Sequence, residues 1–163
     1  MNGPEKLYRL LEQLAIPFEY LEHPAAPTVA VARQYWAGHD ATHCKNLFFR
    51  NHKGNRHYLV ILDCTREMDI HHIEKQLHQG KLTFASPARM MKYLGVTPGS
   101  VTPFGLISDE EHHVAVFLDR SLQKAARLSF HPCINTASLM IATADFIRFM
   151  DYTQNPYEWI EVY

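Results

Sequence analysis

Cysteine, glycine and net charge are all scarce in this 163-residue chain, and each scarcity closes off a class of protein. Three cysteines, Cys44, Cys64 and Cys133, are odd in number and include no CxxC pair, which argues against a secreted disulfide scaffold. A reducing, cytoplasmic setting is expected. Sixteen basic and seventeen acidic side chains leave a formal charge of −1, so a broad electrostatic grip on nucleic acid is missing and any such contact must be local. No uncharged run approaches the ~18 residues that a membrane span needs, and neither a signal peptide nor an anchor is expected. GxSxG, P-loop and GxGxxG patterns are absent as well, which removes the usual signatures of that type of serine hydrolase, of P-loop nucleotidases and of dinucleotide enzymes.

What remains is the composition of a globular protein, 47% hydrophobic and 20% charged, of a length suited to one domain spanning residues 1–163. Leu7, Leu10, Leu11 and Leu14 recur at helical spacing behind Pro4 and before Pro17. A strand is expected over 18–22, then a helix from a Thr28 cap to Tyr35. Segments 43–50 and 57–62 flank turn-forming residues and read as an antiparallel hairpin. Asp69 can cap a helix whose left-handed end falls to Gly80, and Ser86-Pro87 opens another that runs to Gly95. Strands are expected around 82–85, 114–118, 125–130, 137–142 and 159–162, with a helix over 143–150. Short helices alternating with short strands give one α/β domain, its sheet mixed and mostly antiparallel, with helices packed around it.

One segment concentrates what is rare elsewhere. Residues 95–106, Gly-Val-Thr-Pro-Gly-Ser-Val-Thr-Pro-Phe-Gly-Leu, hold three of the seven glycines and two of the nine prolines. Thr97-Pro98-Gly99-Ser100 fits a type II turn, and two successive Pro/Gly units with Ser100, Thr102 and Phe104 between them suit a rigid pocket wall. Two turns joined end to end are the alternative. Lys45, just before the apolar Asn46-Leu47-Phe48-Phe49, is either a surface lysine with a packed stem or an anion ligand at the end of a strand. His131, between Phe130 and Pro132, is held by its neighbours and either faces a cleft or is a satisfied loop histidine. His39 and His43 stand four apart and His71-His72 and His112-His113 are adjacent, yet no third ligand follows at a recognisable spacing, so no metal is expected. Cys44 reads as a small core residue.

Taken together, His43-Cys44-Lys45-Asn46-Leu47-Phe48-Phe49-Arg50, Phe84-Ala85-Ser86-Pro87, the 94–106 segment and Phe130-His131-Pro132 through Asn135-Thr136-Ala137 resemble the YbaK/ProX family of prolyl-tRNA editing proteins. The likeness is greatest to its freestanding branch, which removes alanine mischarged onto proline tRNA. The resemblance implies a trans-acting aminoacyl-tRNA deacylase without a cofactor, working on the acceptor end of proline tRNA, with transient contact to prolyl-tRNA synthetase and no membrane. A deacylase for cysteinyl or another small aminoacyl-tRNA, or a silent tRNA-binding relative, are the alternatives. Lys45 matches the family's essential lysine, and Asn46 matches a neighbour that is commonly polar. Gly99, Ser100, Pro103, Phe104, Gly105 and Leu106 would then shape the acyl pocket, with His131 lining it. Arg50, Lys81, Arg89 and Lys92 are candidate phosphate contacts.

Overall fold

In the computed structural model, which describes residues 1–25 and 29–163, the leucine stripe forms α1 (Glu5–Gln13) and buries Leu7, Leu10 and Leu11. Pro4 is its cap and not its first helical residue, and Ala15, at φ 54°, turns the chain before Pro17 is reached. β1 (Glu19–Glu22) and α2 (Val29–Trp36) follow; Thr28, the expected cap, lies outside the described residues. β2 (Thr42–Arg50) and β3 (His57–Asp63) are the expected hairpin. The Asp69 carboxylate accepts from the His72 amide at 3.2 Å to start α3 (Ile70–Leu77), but His78, not Gly80, takes the left-handed position at its end, with φ 53°. Gly80 answers a different need, since a Cβ there would come within 2.8 Å of the His52 Cβ.

β4 (Thr83–Phe84) is two residues long, and α4 (Pro87–Leu94) begins at once behind it, capped by the Ser86 hydroxyl and ended by Gly95 at φ 65°. Ser100 donates to the Thr97 carbonyl at 3.1 Å, and Gly99 sits at φ 88°, as a type II turn requires. The second half of the segment is not a second open turn. It winds into a 3-10 turn, Pro103–Ser108, capped by Thr102, whose hydroxyl accepts from the Phe104 amide. β5 (Ala115–Asp119), a 3-10 turn at Arg120–Lys124, β6 (Arg127–Phe130), β7 (Ala137–Ala142), α5 (Thr143–Thr153) and β8 (Tyr157–Ile160) complete the chain. No helix among the described residues is long and apolar enough to cross a membrane.

Among the described residues eight strands form one sheet in the order β1-β7-β6-β2-β3-β5-β8, with β4 attached to β2. Pairings β1/β7, β6/β7, β2/β3 and β2/β4 are antiparallel, whereas β2/β6, β3/β5 and β5/β8 are parallel. Strand alternation sorts side chains onto two faces. Phe48, Leu59, Ile61, Leu128, Phe130, Leu139 and Ile141 pack with α1, α4, α5 and the 3-10 turn. Phe49, Val60 and Leu62 pack with Ile73 of α3 on the other face.

The far end of the hairpin is tied to α4 through His57, which is 1% exposed. Arg89 Nη1 donates to the Gly54 carbonyl at 2.8 Å and to His57 Nε2 at 2.9 Å. Arginine has no acceptor, so Nδ1 of His57 carries the ring proton and donates to His113 Nε2 at 2.8 Å. Burial first, then the neighbouring His113 and Arg89, push the His57 pKa down to about 4.

The unfolded chain takes up a proton at His57 near pH 6.5 and the folded chain only near pH 4, so this contribution is complete above about pH 6.5 and is lost as pH falls through that window. Between about pH 7 and pH 5 the ring should account for about 2 kcal/mol of lost stability in urea titrations, and His57→Gln should have a shallower pH slope; equal slopes would remove His57 from this role. Gly105 packs so tightly that an added Cβ would meet the Leu94 carbonyl oxygen at 2.6 Å. Gly105→Ala should therefore cost about 1–3 kcal/mol, read as a lowered urea midpoint, and an unchanged midpoint would contradict the close approach.

Candidate functional site

The centre of the molecule is a break in the sheet. β2 pairs with β3 from Cys44 to Arg50, but on its other side β6 meets only Thr42 and His43, and β4 meets only Phe49 and Arg50. Proline accounts for both interruptions, since Pro87 at the start of α4 cuts β4 short and Pro132 follows closely on the end of β6. The Phe48 carbonyl reaches across to the Ala85 amide at 2.9 Å, so it points away from β3. Two residues back along the strand, the Asn46 amide and carbonyl point the same way, into the opening.

Lys45 and Asn46 flank this opening from opposite faces. Lys45 stands with Leu47 and Phe49, its side chain 24% exposed, and its Nζ lies 3.7 Å from a carboxylate oxygen of Glu67, itself 97% exposed. A pair that loose and that wet is worth little and leaves the ammonium available. Asn46 stands with Phe48. Its Oδ1 is buried and without a hydrogen-bond partner among the described residues, an arrangement that costs about 1–3 kcal/mol unless a donor is supplied.

Continuing the parallel β2/β6 register, Thr42 opposite Leu128 and His43 opposite Ser129, brings Lys45 level with His131 across the break. His131 Nδ1 lies 2.9 Å from the Ala137 carbonyl and must donate to it, so in the neutral ring Nε2 is the acceptor. Burial lowers the pKa of this ring, which keeps it neutral and an acceptor. The turn at Gly99 comes against the same loop, a Cβ at Gly99 lying 3.5 Å from the Asn135 amide nitrogen.

Lys45 and Asn46 thus border the break on opposite faces, His131 follows the end of β6 with its ring 6.1 Å from that of His23, and Gly99 lies against the loop that carries His131. Pro103, Phe104, Gly105 and Leu106 are buried in the core behind it. The Phe104 ring meets Phe130 and Phe149 edge-on at 5.7 and 5.3 Å, so its surface is spent on packing. Of the candidate phosphate contacts, Arg89 and Arg50 donate to carbonyls of their own chain, while Lys81 is exposed. Burial pushes the pKa of the Cys44 thiol up, which disfavours the thiolate.

Spacing of residues did not reveal a second cluster on the Lys45 face. Trp36 Nε1 donates to the Ser138 hydroxyl at 3.3 Å, and that hydroxyl lies 2.9 Å from His23 Nε2. His23 Nδ1 must donate to the Pro24 carbonyl, so Ser138 donates to Nε2 and the chain of donors has one direction. His43 stacks on Trp36 at 4.2 Å with both ring nitrogens buried and without a hydrogen-bond partner among the described residues, and burial holds its pKa down to about 4. Beside it, a cavity of about 330 Å³ is lined by Arg33, Trp36, His43, Asp63 and Cys64 among others. His39 turns instead to Glu19 at 2.9 Å, so the spacing of four from His43 does not bring the two rings to a common ligand. Among the described residues no group of three or more His, Cys, Asp or Glu side chains is placed to hold a metal ion.

Residues 23–149 match the model of the aminoacyl-tRNA editing domain family. The chain is 30% identical over 162 residues to the prolyl-tRNA editing protein ProX of Acetoanaerobium sticklandii, covering 99% of both chains. It is 32% identical over 151 residues to prolyl-tRNA synthetase associated domain-containing protein 1 of Bos taurus, covering 90% of this chain and 88% of that one. Among solved structures, a candidate trans-editing enzyme for prolyl-tRNA synthetase superposes with a TM-score of 0.68 at 21% identity, covering 98% of this chain and 99% of that one. A hypothetical protein superposes at 0.73 and 16% identity, covering 94% and 97% respectively. At those identities the superpositions speak for the fold alone.

Proposed function

This chain belongs to the family of aminoacyl-tRNA editing domains, and on that premise we propose that it acts in trans to remove alanine from mischarged proline tRNA. The family's activity makes it an aminoacyl-tRNA deacylase, a hydrolase of the ester between an amino acid and the terminal ribose. The name of the ProX relative supports prolyl-tRNA as the substrate class, the name of the Bos taurus relative supports a passing contact with prolyl-tRNA synthetase, and the ester chemistry implies the tRNA acceptor end as the part bound. One observation carries the site: a lysine beside a break in the sheet where the Asn46 Oδ1 is buried and finds no donor among the described residues.

The chemistry of an aminoacyl ester complements these groups. Its α-ammonium and ribose hydroxyl are donors, and Asn46 Oδ1 and His131 Nε2 are acceptors. Its carbonyl oxygen gathers negative charge as water attacks, and the ribose oxygen gathers more as the acyl C–O bond breaks; the Lys45 ammonium offsets that charge. A proton passes from water to the departing ribose oxygen, for which a neighbouring ribose hydroxyl is the nearest carrier in the substrate itself. Size selection falls to the wall. Gly99 and Ser100 contribute its rim, and Pro103, Phe104, Gly105 and Leu106 stiffen it from the core, so that a side chain as small as alanine is accepted where the synthetase's first sieve fails.

A deacylation panel of proline tRNA charged with alanine, cysteine or serine tests this reading. Alanine should be released fastest, and Lys45→Ala should lower kcat/KM by about 10²-fold or more. Asn46→Ala should raise KM by about 10-fold through the lost ammonium contact, as one charge-assisted hydrogen bond would. Faster release of cysteine would replace the substrate, and hydrolysis of none would reject the deacylase reading. Unchanged rates in Lys45→Ala would remove that residue from the chemistry.

A further inference from the structure

Phe84 is the most exposed aromatic side chain among the described residues, at 61%. An exposed phenylalanine forgoes most of the ~1.5–3 kcal/mol that burial would contribute. This one is nevertheless held in place: its ring stacks at 4.6 Å and 29° on Phe49, which is fully buried. The strand register sets Phe84 directly opposite Phe49, and alternation along β2 puts both on the face that carries Leu47 and Lys45. Four residues of strand separate Lys45 from Phe49, a span of ~13 Å. A solvent-facing ring stacked on a buried one therefore stands on the face and at the side of the break where Lys45 stands, with the exposed Lys81 three residues before it in the chain.

We propose that Phe84 is a stacking platform for an unpaired base of the tRNA acceptor end, with Lys81 against an adjoining phosphate. The choice of RNA as the occupant rests on the deacylase reading. An ester held at Lys45 is carried on the last nucleotide of an unpaired strand, whose preceding bases must leave the site along the surface. Every base offers a π-face, so stacking grips such a strand without reading its sequence, and alternating cations with aromatic rings is the arrangement that single strands favour. Because Phe49 already fixes the ring, little side-chain freedom is lost on binding. The near-neutral net charge of the chain is consistent with a grip built from a ring and a few placed lysines.

The test uses the whole protein and a hairpin RNA whose unpaired 3′ end carries 2-aminopurine, with a blunt hairpin as control. Wild type should quench the 2-aminopurine on binding. Phe84→Ala should lose the quenching and bind the tailed hairpin about 10-fold more weakly, within the range expected for one stacked base. Phe84→Trp should keep both properties, and all three proteins should bind the blunt hairpin alike. With alanyl-tRNA the Phe84→Ala loss should appear in KM and leave kcat unchanged. Equal quenching by wild type and Phe84→Ala, or an equal loss on the blunt hairpin, would overturn the platform. So would a variant that binds RNA normally but no longer associates with prolyl-tRNA synthetase, because the ring would then be a protein contact. A wild type that quenches the tailed RNA yet hydrolyses no ester would reject the deacylase reading and leave the platform standing.

Discussion

The unequal pairing of β2 is the constraint on which the rest depends. One edge of this strand is zipped to β3 over seven residues, Cys44 to Arg50, and the other is pinned only near its two ends. The closed edge keeps the backbone straight and places alternate side chains on opposite faces. The open edge leaves Asn46 facing a space that no strand fills. A complete ladder would have satisfied these groups and left no room for a ligand. Prolines just behind β4 and β6 keep the ladder incomplete, because neither can donate and the chain must turn.

In the proposed site the Lys45 ammonium stands near side-chain acceptors that carry no charge. His131 is held as a neutral ring by burial while the Ala137 carbonyl fixes which nitrogen carries the proton. His43 is held neutral in the same way under Trp36. Protonated imidazoles here would compete with a substrate ammonium and repel Lys45. Their neutrality comes from desolvation, so the fold carries an acid sensitivity that His57 shares at the other end of the hairpin. A site of this kind suits a substrate that arrives with its own positive charge and develops negative charge only as it reacts.

Much of the framework was legible because its signals are local. The leucine stripe of α1, the hairpin around residues 51–56, the Asp69 and Ser86 caps and the type II turn at Gly99 each involve residues within a few positions of one another. The misreadings have equally specific causes. Gly80 looked like the helix end, but the chain had already turned at His78, and the glycine was needed where the His52 side chain passes. At residues 103–106 the Pro and Gly cluster is legible, but no local pattern foretells that Phe104 completes an aromatic group with Phe130 and Phe149.

By itself the sequence determined the class of the domain and the places where its helices start, which follow from periodicity and capping, while Lys45, Asn46 and His131 were singled out through the resemblance to a family. Only the tertiary structure decided what those residues face. Lys45 and Asn46 are neighbours in the chain yet lie on opposite faces of the sheet, and His131, eighty-six positions further on, comes level with Lys45 through the parallel pairing of β2 with β6. A break in a sheet belongs to no single segment. It exists because three strands distant in sequence meet with unequal lengths, and that meeting is what gives Lys45, in the proposed site, an opening to stand beside.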